Sequence, residues 1–214
     1  MCGRFDTSHL NWADIHAQLS GFAAVRTAPL NLEPSDDVRP TTPQVTARLE
    51  GGAWVLETMR WGLVPFWRSG KPLKDTRKGS GDGFKLTTFN AKSETCAGLA
   101  TFKGAYERRR CIVPASAWYE WTGPDRSKTR HRFARADGKA IWFAGLWDRV
   151  STPDSGELTS FTILTQPSEG WLSDYHTRAP VILEDDEWGR WLDVTAPPGP
   201  VLASARAERF EKTG

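Results

Sequence analysis

Short apolar segments separated by glycine or proline recur along this chain of 214 residues. Two pairs of these segments alternate around a two-residue turn, which is typical of β-hairpins. The pairs are Val45–Leu49 with Ala53–Met59 around Gly51-Gly52, and Arg132–Ala136 with Ala140–Trp147 around Asp137-Gly138. Further short strands are predicted at Cys111–Pro114, Phe161–Thr165 and Arg178–Leu183. No linker is long enough to separate two domains, so we expect one strand-rich domain over residues 1–214.

Helical spacing is confined to a few segments. Leu10, Ile15 and Leu19 predict a helix between Ser8 and Gly21, where the glycine supplies a stop. Two more helices are predicted, one to which Phe89–Thr95 leads and which runs through Ala105, and one over Glu184–Leu192. Surface loops are predicted for Leu30–Pro43 and for Lys71–Lys85, and the tail that follows Pro197 is predicted to be weakly structured until Ala203–Lys212.

Composition excludes several classes of protein. Charged residues make up 25% and hydrophobic residues 39% of the chain, as in soluble globular proteins. No apolar run approaches the roughly 18 residues of a membrane span, and Arg4 and Asp6 interrupt any signal peptide. The three cysteines have no CxxC spacing, so we expect no disulfide framework, no metal and no cofactor. A cytoplasmic, monomeric protein without membrane contact is the simplest expectation.

Charge is distributed unevenly along the sequence. The segment from Arg60 to Arg135 contains 17 Lys and Arg against 6 Asp and Glu, a net charge of +11. The remaining residues carry a net charge of −9, although the whole chain is only +2. A basic middle indicates a polyanionic partner such as nucleic acid, unless the charges scatter over the folded surface.

The first residues offer unusual chemistry. Removal of Met1 leaves Cys2 as the N-terminus, with a free α-amine of pKa roughly 7.7–8.0 beside a thiol of pKa about 8.5. With an aldehyde, the amine forms a Schiff base and the thiol then closes a five-membered thiazolidine ring. An internal cysteine cannot do this, because its nitrogen is an amide. The alternative is that Cys2 belongs to a disordered terminus without a role.

Three other residues are candidates for acid–base or positioning roles. Glu120 lies among aromatic residues in WYEW, where desolvation raises a carboxyl pKa, unless strand alternation turns it to solvent. His176 lies in a loop beside Arg178 and suits proton transfer, although a lone histidine is more often structural. Asn90 precedes a predicted helix, as an N-cap or as a group that orients an amine or thiol.

Five segments in order resemble one family: MCGRF, RWGLVPFW, FNAKSET, RRCIVPASAWYEW and HTRAPVIL. The chain is similar over about residues 2–183 to the SRAP family of SOS response-associated peptidase-like proteins. The resemblance implies a single α+β domain with a β-rich, barrel-like antiparallel core and peripheral helices. It also implies a sensor of abasic sites in single-stranded DNA, active in the DNA damage response, which crosslinks to the lesion through its N-terminal cysteine and requires removal of Met1.

The family's catalytic residues fall on Cys2, Asn90, Glu120 and His176. In the expected reaction the Cys2 amine attacks the aldehyde of the opened sugar. Glu120 protonates the ring oxygen, Asn90 positions Cys2 and His176 relays protons. The thiol of Cys2 then closes the ring.

DNA contacts are expected at residues of two types. Arg4, Lys92 and Arg178 are candidates for binding phosphates, and Trp61 and Trp67 for stacking on bases. Lys92 replaces the family's usual arginine, Ala179 replaces its usual methionine, and Val38–Pro43 matches the family pattern only loosely.

Two other functions fit the residues. One is a cysteine peptidase or amidohydrolase with Cys2 as nucleophile and His176 as base. The other is a non-covalent single-strand DNA-binding module in which Cys2 has no role. We expect a cytoplasmic protein in either case, associated with the nucleoid when bound to DNA.

Overall fold

A computed structural model describes residues 2–27, 33–73, 88–197 and 206–213. Its helices are α1 (Trp12–Ser20), α2 (Lys103–Arg108) and α3 (Trp188–Leu192). The strands are β1 (Phe5–Asp6), β2 (Pro43–Glu50), β3 (Ala53–Trp61), β4 (Asn90–Lys92), β5 (Arg110–Ala115), β6 (Ala117–Thr122), β7 (Thr129–Arg135), β8 (Ile141–Thr152), β9 (Gly156–Pro167), β10 (Arg178–Pro180) and β11 (Phe210–Lys212). Most of the loop predicted at Lys71–Lys85, the start of that at Leu30–Pro43 and part of the tail lie outside the described residues, as does Met1.

A closed barrel of five strands forms the centre of the molecule. Its strands follow the order β9–β3–β2–β5–β8, and β8 pairs with β9 to close the ring. The predicted barrel-like β core with peripheral helices is therefore confirmed. Two pairings of β9 are parallel, with β3 and with β4, whereas the other barrel pairings are antiparallel.

A separate antiparallel sheet carries the N-terminus. Its order is β1–β6–β7–β11, so the first and last described strands lie at its two edges. The tail after Pro197, in which the sequence predicts structure at Ala203–Lys212, ends in β11, where Phe210 pairs with Arg135. Extended backbone and a buried Phe210 explain why this short polar segment is held.

One of the two predicted hairpins forms. β2 and β3 pair from Glu50↔Ala53 onward, and Gly51 and Gly52 take φ values of 58° and 75°, which glycine adopts without strain. The hairpin predicted at Asp137-Gly138 is wrong, because β7 pairs with β6 and β11 while β8 pairs with β5 and β9. That turn instead carries the chain from the separate sheet into the barrel.

The helix predictions are partly correct. α1 begins after Asn11, whose side chain accepts the backbone N–H of Asp14, and Gly21 follows its last residue. The helix predicted to follow Phe89–Thr95 and to run through Ala105 is wrong in its extent, since a 3₁₀ turn at Cys96–Gly98 comes first and α2 begins only at Lys103. The acidic residues before α3 form a 3₁₀ turn that continues into the helix, as the acidic first turn suggested.

Alternate residues of the barrel strands face two apolar clusters. Ile112 packs with α1, α2 and α3 in one cluster, which includes Trp54 and Trp188. Cys111 and Val113 pack in the other, together with Cys2 and the side chains of the separate sheet. The N-terminus therefore lies between barrel and sheet. No helix in the described part of the chain has the length and apolar character needed to cross a membrane.

Candidate active site at the N-terminus

The first residues are fixed by main-chain hydrogen bonds on both sides. Phe5 pairs with Trp118 of β6, and its N–H and C=O bond Val38 at 3.3 and 2.9 Å. The N–H of Tyr119 donates to the carbonyl of Arg4 at 3.1 Å. Cys2, just before β1, is fully buried. This is not the disordered terminus that the alternative interpretation of Cys2 required.

The buried carboxylate of Asp6 holds the N-terminal segment in place through its side-chain contacts. Asp6 accepts hydrogen bonds from the Ser8 N–H at 2.7 Å and from Arg132 Nε at 2.9 Å. Its pKa is lowered: these contacts with Ser8 and Arg132 outweigh burial, which by itself would raise it. Asp6 therefore stays ionised and holds β1 in place at neutral pH.

Asn90 contacts the cysteine directly. Its Nδ2 donates to the carbonyl oxygen of Cys2 at 2.7 Å, and its buried Oδ1 has no hydrogen-bond partner among the described residues. β3 ends opposite Phe161 and β4 begins opposite Ile163, so both lie end to end along one edge of β9. Asn90 is the first residue of a strand here, and the N-cap interpretation is wrong.

Glu120 is enclosed by the separate sheet. It is 4% exposed in β6, which excludes the alternative in which strand alternation points it to solvent. Burial raises its pKa to about 7. Burial and then the charge of Glu120 raise the pKa of the Cys2 thiol far above its usual range, so the two groups are electrostatically coupled. At neutral pH the pocket contains a neutral thiol and a carboxyl group that can both give and accept a proton.

His176 follows a 3₁₀ turn at Gly170–Asp174 and is half-buried. Its Nδ1 lies 2.9 Å from the backbone nitrogen and 3.1 Å from the carbonyl oxygen of Arg178, so the main chain of Arg178 holds the ring in place. Burial lowers the pKa of His176, with the charge of Arg178 acting in the same direction. The ring of the preceding Tyr175 packs edge-on against His131, the cross-strand partner of Glu120, at 4.8 Å.

The residues expected to bind phosphate occupy different environments. Arg4 Nε pairs with Asp37 Oδ1 at 2.9 Å, and Lys92 is exposed at the end of β4. Arg178 is largely buried, and its Nη2 donates to Glu94 Oε2 at 2.8 Å. The hydrogen bond from Arg178 lowers the pKa of Glu94 to about 2, so this pair is ionised across the physiological range.

The two tryptophans expected to stack on bases differ completely. Trp61 is 0% exposed, lies parallel to Phe161 and donates from Nε1 to the carbonyl of Phe89 at 2.8 Å. Trp61 thus presents no face to a base, and its predicted DNA contact is corrected to a core role. Trp67 is 40% exposed beside the exposed Phe66, and it retains a surface for stacking.

Sequence reasoning missed the partners that hold these groups. Glu94 pairs with Arg178, Asp37 pairs with Arg4, and Tyr175 supports the His176 loop. Glu94 lies in the same segment as Asn90, FNAKSET, and Tyr175 precedes His176. Their closeness in sequence to these candidate residues was the signal that could have identified them. Asp37 had no signal, because its contact depends on the pairing of Phe5 with Val38.

The chain matches the family model described as SOS response associated peptidase (SRAP) over residues 1–212. The abasic site processing protein YoqW of Bacillus subtilis is 31% identical over 194 residues, which cover 90% of this chain and 80% of that protein. The abasic site processing protein HMCES of Xenopus tropicalis is 32% identical over 159 residues, covering 65% of this chain and 45% of that protein. An X-ray crystal structure of a Bordetella bronchiseptica protein superimposes with a TM-score of 0.74 at 28% identity, covering 100% of both chains.

Proposed function

The chain belongs to the SRAP family of SOS response associated peptidases, and we propose that it senses abasic sites in single-stranded DNA and captures them covalently through Cys2. The observation that carries this proposal is the placement of Cys2, which is buried, bonded to Asn90 and electrostatically coupled to Glu120. Relatives such as YoqW and HMCES are named abasic site processing proteins, which supports the same substrate class.

The reaction begins with release of Met1 by hydrolysis of its peptide bond to Cys2, which frees the α-amine. An abasic sugar is in equilibrium with an open form that presents an aldehyde at C1′. Glu120, with a pKa of about 7, donates a proton to the ring oxygen as the bond between C1′ and that oxygen breaks, and the C1′ hydroxyl loses its proton to water to become the aldehyde. The carboxylate that remains is placed to accept a proton later.

The amine then attacks C1′, and loss of water gives an imine. The thiol adds to the imine carbon and its proton passes to the nitrogen, which closes the thiazolidine ring. A neutral thiol suffices for this step, because the imine carbon is a strong electrophile tethered to the sulfur through the nitrogen, Cα and Cβ of Cys2, so that the new C–S bond closes a five-membered ring. Amine and thiol belong to one residue, so proximity supplies most of the rate. His176, whose pKa is lowered by burial, relays protons between these steps.

DNA is held through its backbone and one stacking contact. Lys92 and Arg4 offer charge to phosphates, and Arg178 does so by exchanging Glu94 for a phosphate oxygen. Trp67 presents an exposed ring to a base. Contacts of this type read little sequence, as suits a lesion sensor, and they weaken with salt. The protein is expected to act as a monomer and to be found with DNA when lesions are present.

The electrostatics of Cys2 argue against a cysteine peptidase that acts on other proteins. Such enzymes need a thiolate, stabilised by a nearby positive charge. Here burial and Glu120 both oppose thiolate formation. Hydrolysis at Met1 is therefore the one peptidase reaction that the proposal requires, whether the domain or an aminopeptidase performs it.

One experiment separates the candidate functions. The protein is mixed with single-stranded DNA that contains one abasic site, denatured by heat, and analysed by gel electrophoresis and intact mass spectrometry. An adduct at Cys2 in protein that lacks Met1 supports the proposal. Adduct formation that persists in Cys2→Ala rejects it. Peptide cleavage without an adduct favours the peptidase, and a salt-sensitive gel shift without a covalent product favours the binding module.

A further inference from the structure

A second concave surface adjoins the exposed Phe66–Trp67 turn, outside the N-terminal site. It is a pocket of about 330 Å³ lined by Phe66, Arg108, Arg109, Trp147, Asp148 and Arg149. We propose that this pocket holds one nucleotide of the DNA strand that flanks the lesion, with its phosphate on the arginines and its base against Phe66. The inference rests on the proposed function and adds a subsite to it.

Asp148 organises the floor of the pocket. This carboxylate is buried, and its Oδ2 accepts the backbone N–H of Phe66 at 2.8 Å. Its Oδ1 lies 3.2 Å from Nε of Arg109. Nη2 of Arg109 is buried and has no hydrogen-bond partner among the described residues. Asp148 therefore holds the turn at Phe66 in place and neutralises the charge of Arg109. The other two arginines that line the pocket have no acidic partner within its lining.

The two remaining arginines form an exposed rim. Arg108 contacts its neighbour Glu107 at 3.2 Å, and Arg149 contacts Glu57 at 3.3 Å. Both arginine side chains are more than half exposed, and ion pairs of this kind contribute little to stability. A backbone phosphodiester offers two acceptor oxygens in bidentate geometry, so it can replace these carboxylates as the partner of each guanidinium.

The aromatic wall is accessible and close to the charges. Phe66 is 55% exposed, although it is a large apolar side chain. A Cβ at Gly104 of α2 would lie 3.7 Å from the Phe66 ring and 3.3 Å from Nη2 of Arg108. The absence of a side chain at Gly104 thus lets ring and guanidinium groups converge on one small volume. Exposed aromatic rings of this kind are surfaces on which the bases of single-stranded nucleic acids stack.

The pocket is within reach of a strand bound at Cys2. Trp61 bonds the carbonyl of Phe89, which precedes Asn90. Phe66 follows Trp61 by five residues, so their Cα atoms are at most about 18 Å apart even if the chain between them is fully extended. A few nucleotides cover this distance. A strand leaving the N-terminal site can therefore pass over Trp67 and enter the pocket.

The test compares Arg149→Ala with Arg190→Ala, an exposed arginine of α3 outside the pocket, which controls for the change in net charge. Binding is measured with single-stranded DNA that contains a tetrahydrofuran analogue of the abasic site, which has no aldehyde. We expect Arg149→Ala to weaken binding about fivefold and to reduce the slope of log affinity against log salt by about 0.7. Arg190→Ala should leave both values near those of the wild type.

Oligonucleotides that lack the flank on one side of the lesion locate the subsite. When the flank that enters the pocket is removed, wild-type protein and Arg149→Ala should bind with equal affinity. When the flank on the other side of the lesion is removed, Arg149→Ala should still bind more weakly than the wild type. An effect of Arg149→Ala that is absent, or is the same with every oligonucleotide, overturns the subsite. Failure of the proposed function would appear separately, as no covalent adduct between the wild-type protein and a true abasic site.

Discussion

The side-chain amide of Asn90 is bonded to the main-chain carbonyl of Cys2 at 2.7 Å. This contact links the start of the chain to β9, because β4 pairs with that barrel strand. Cys2 thus takes its position from the barrel on one side and from the separate sheet on the other. A change at Asn90 affects the position of the nucleophile without altering its chemistry.

Asn90→Asp is expected to slow crosslinking by about 10- to 100-fold, since small misplacements of a nucleophile have effects of this size. The carboxylate has the same shape but cannot donate to the Cys2 carbonyl. Single-turnover crosslinking with excess protein measures the rate, and binding to the tetrahydrofuran analogue should stay near wild type. A rate equal to that of the wild type would contradict the positioning role.

Crosslinking should have a bell-shaped pH dependence. The rate rises as the α-amine of Cys2 loses its proton and becomes nucleophilic. It falls above pH about 7, because Glu120 then loses the proton that it donates to the ring oxygen. In Glu120→Gln the rate should be lower throughout and the falling limb should disappear, with DNA affinity nearly unchanged. If the falling limb remains in Glu120→Gln, another group is the acid.

Glu120 also makes stability depend on pH. Its folded-state pKa of about 7 exceeds the ordinary value of 4.5, so the folded protein binds this proton more tightly than the unfolded chain does. Its contribution is complete below pH about 4.5 and is lost as pH rises through about 7, a change of roughly 3 kcal/mol. Denaturant unfolding of wild type and Glu120→Gln at pH 5 and pH 8 measures it, and equal pH dependence in both proteins would rule it out.

Replacing the thiol separates the two nucleophiles of Cys2. Cys2→Ser keeps the α-amine once Met1 is removed, so the imine should still form, but no thiazolidine can close. We expect no heat-stable adduct unless borohydride is added to reduce the imine. A heat-stable adduct without reductant would show that sulfur is not required.

The two tryptophans of RWGLVPFW should respond in opposite ways. Trp67→Ala is expected to weaken DNA binding by the equivalent of about 1–3 kcal/mol without lowering the melting temperature appreciably. Trp61→Ala should destabilise the fold by about 3–5 kcal/mol, because it empties a fully buried site. Thermal melts and affinity measurements on both variants test this, and loss of stability in Trp67→Ala would assign that ring to the core.

Features of the fold that depend only on neighbouring residues, such as a tight turn, could be predicted from the sequence. The turn at Gly51-Gly52 requires positive φ at both positions, so its hairpin could be identified from two adjacent glycines. Asp137-Gly138 offers a similar turn, but the choice of partner for β7 and β8 is made by strands distant in sequence. The same limit applies to Trp61, whose burial depends on the pairing of β3 with β9, a strand distant in sequence.

Charge counts along the sequence do not predict where each charge lies in the fold, for a related reason. In the run Arg108-Arg109-Arg110 the first side chain is exposed and the second pairs with Asp148. Arg110 is buried, and its Nη1 donates to main-chain carbonyl oxygens of Trp191 and Asp193 at 3.2 and 2.8 Å. Three identical residues thus have three environments. The basic middle of the chain therefore contributes less free surface charge than its composition indicates.

The enclosure of Cys2 has a consequence for its survival in the cell. Oxidants that damage DNA bases also attack thiols, and they react with the thiolate form. A sulfur that is shielded from solvent and kept protonated resists peroxide, so under the proposed function Cys2 is protected from the oxidants that generate the lesion it captures. The Cys2 thiol therefore stays unreactive until the aldehyde of a lesion enters the site.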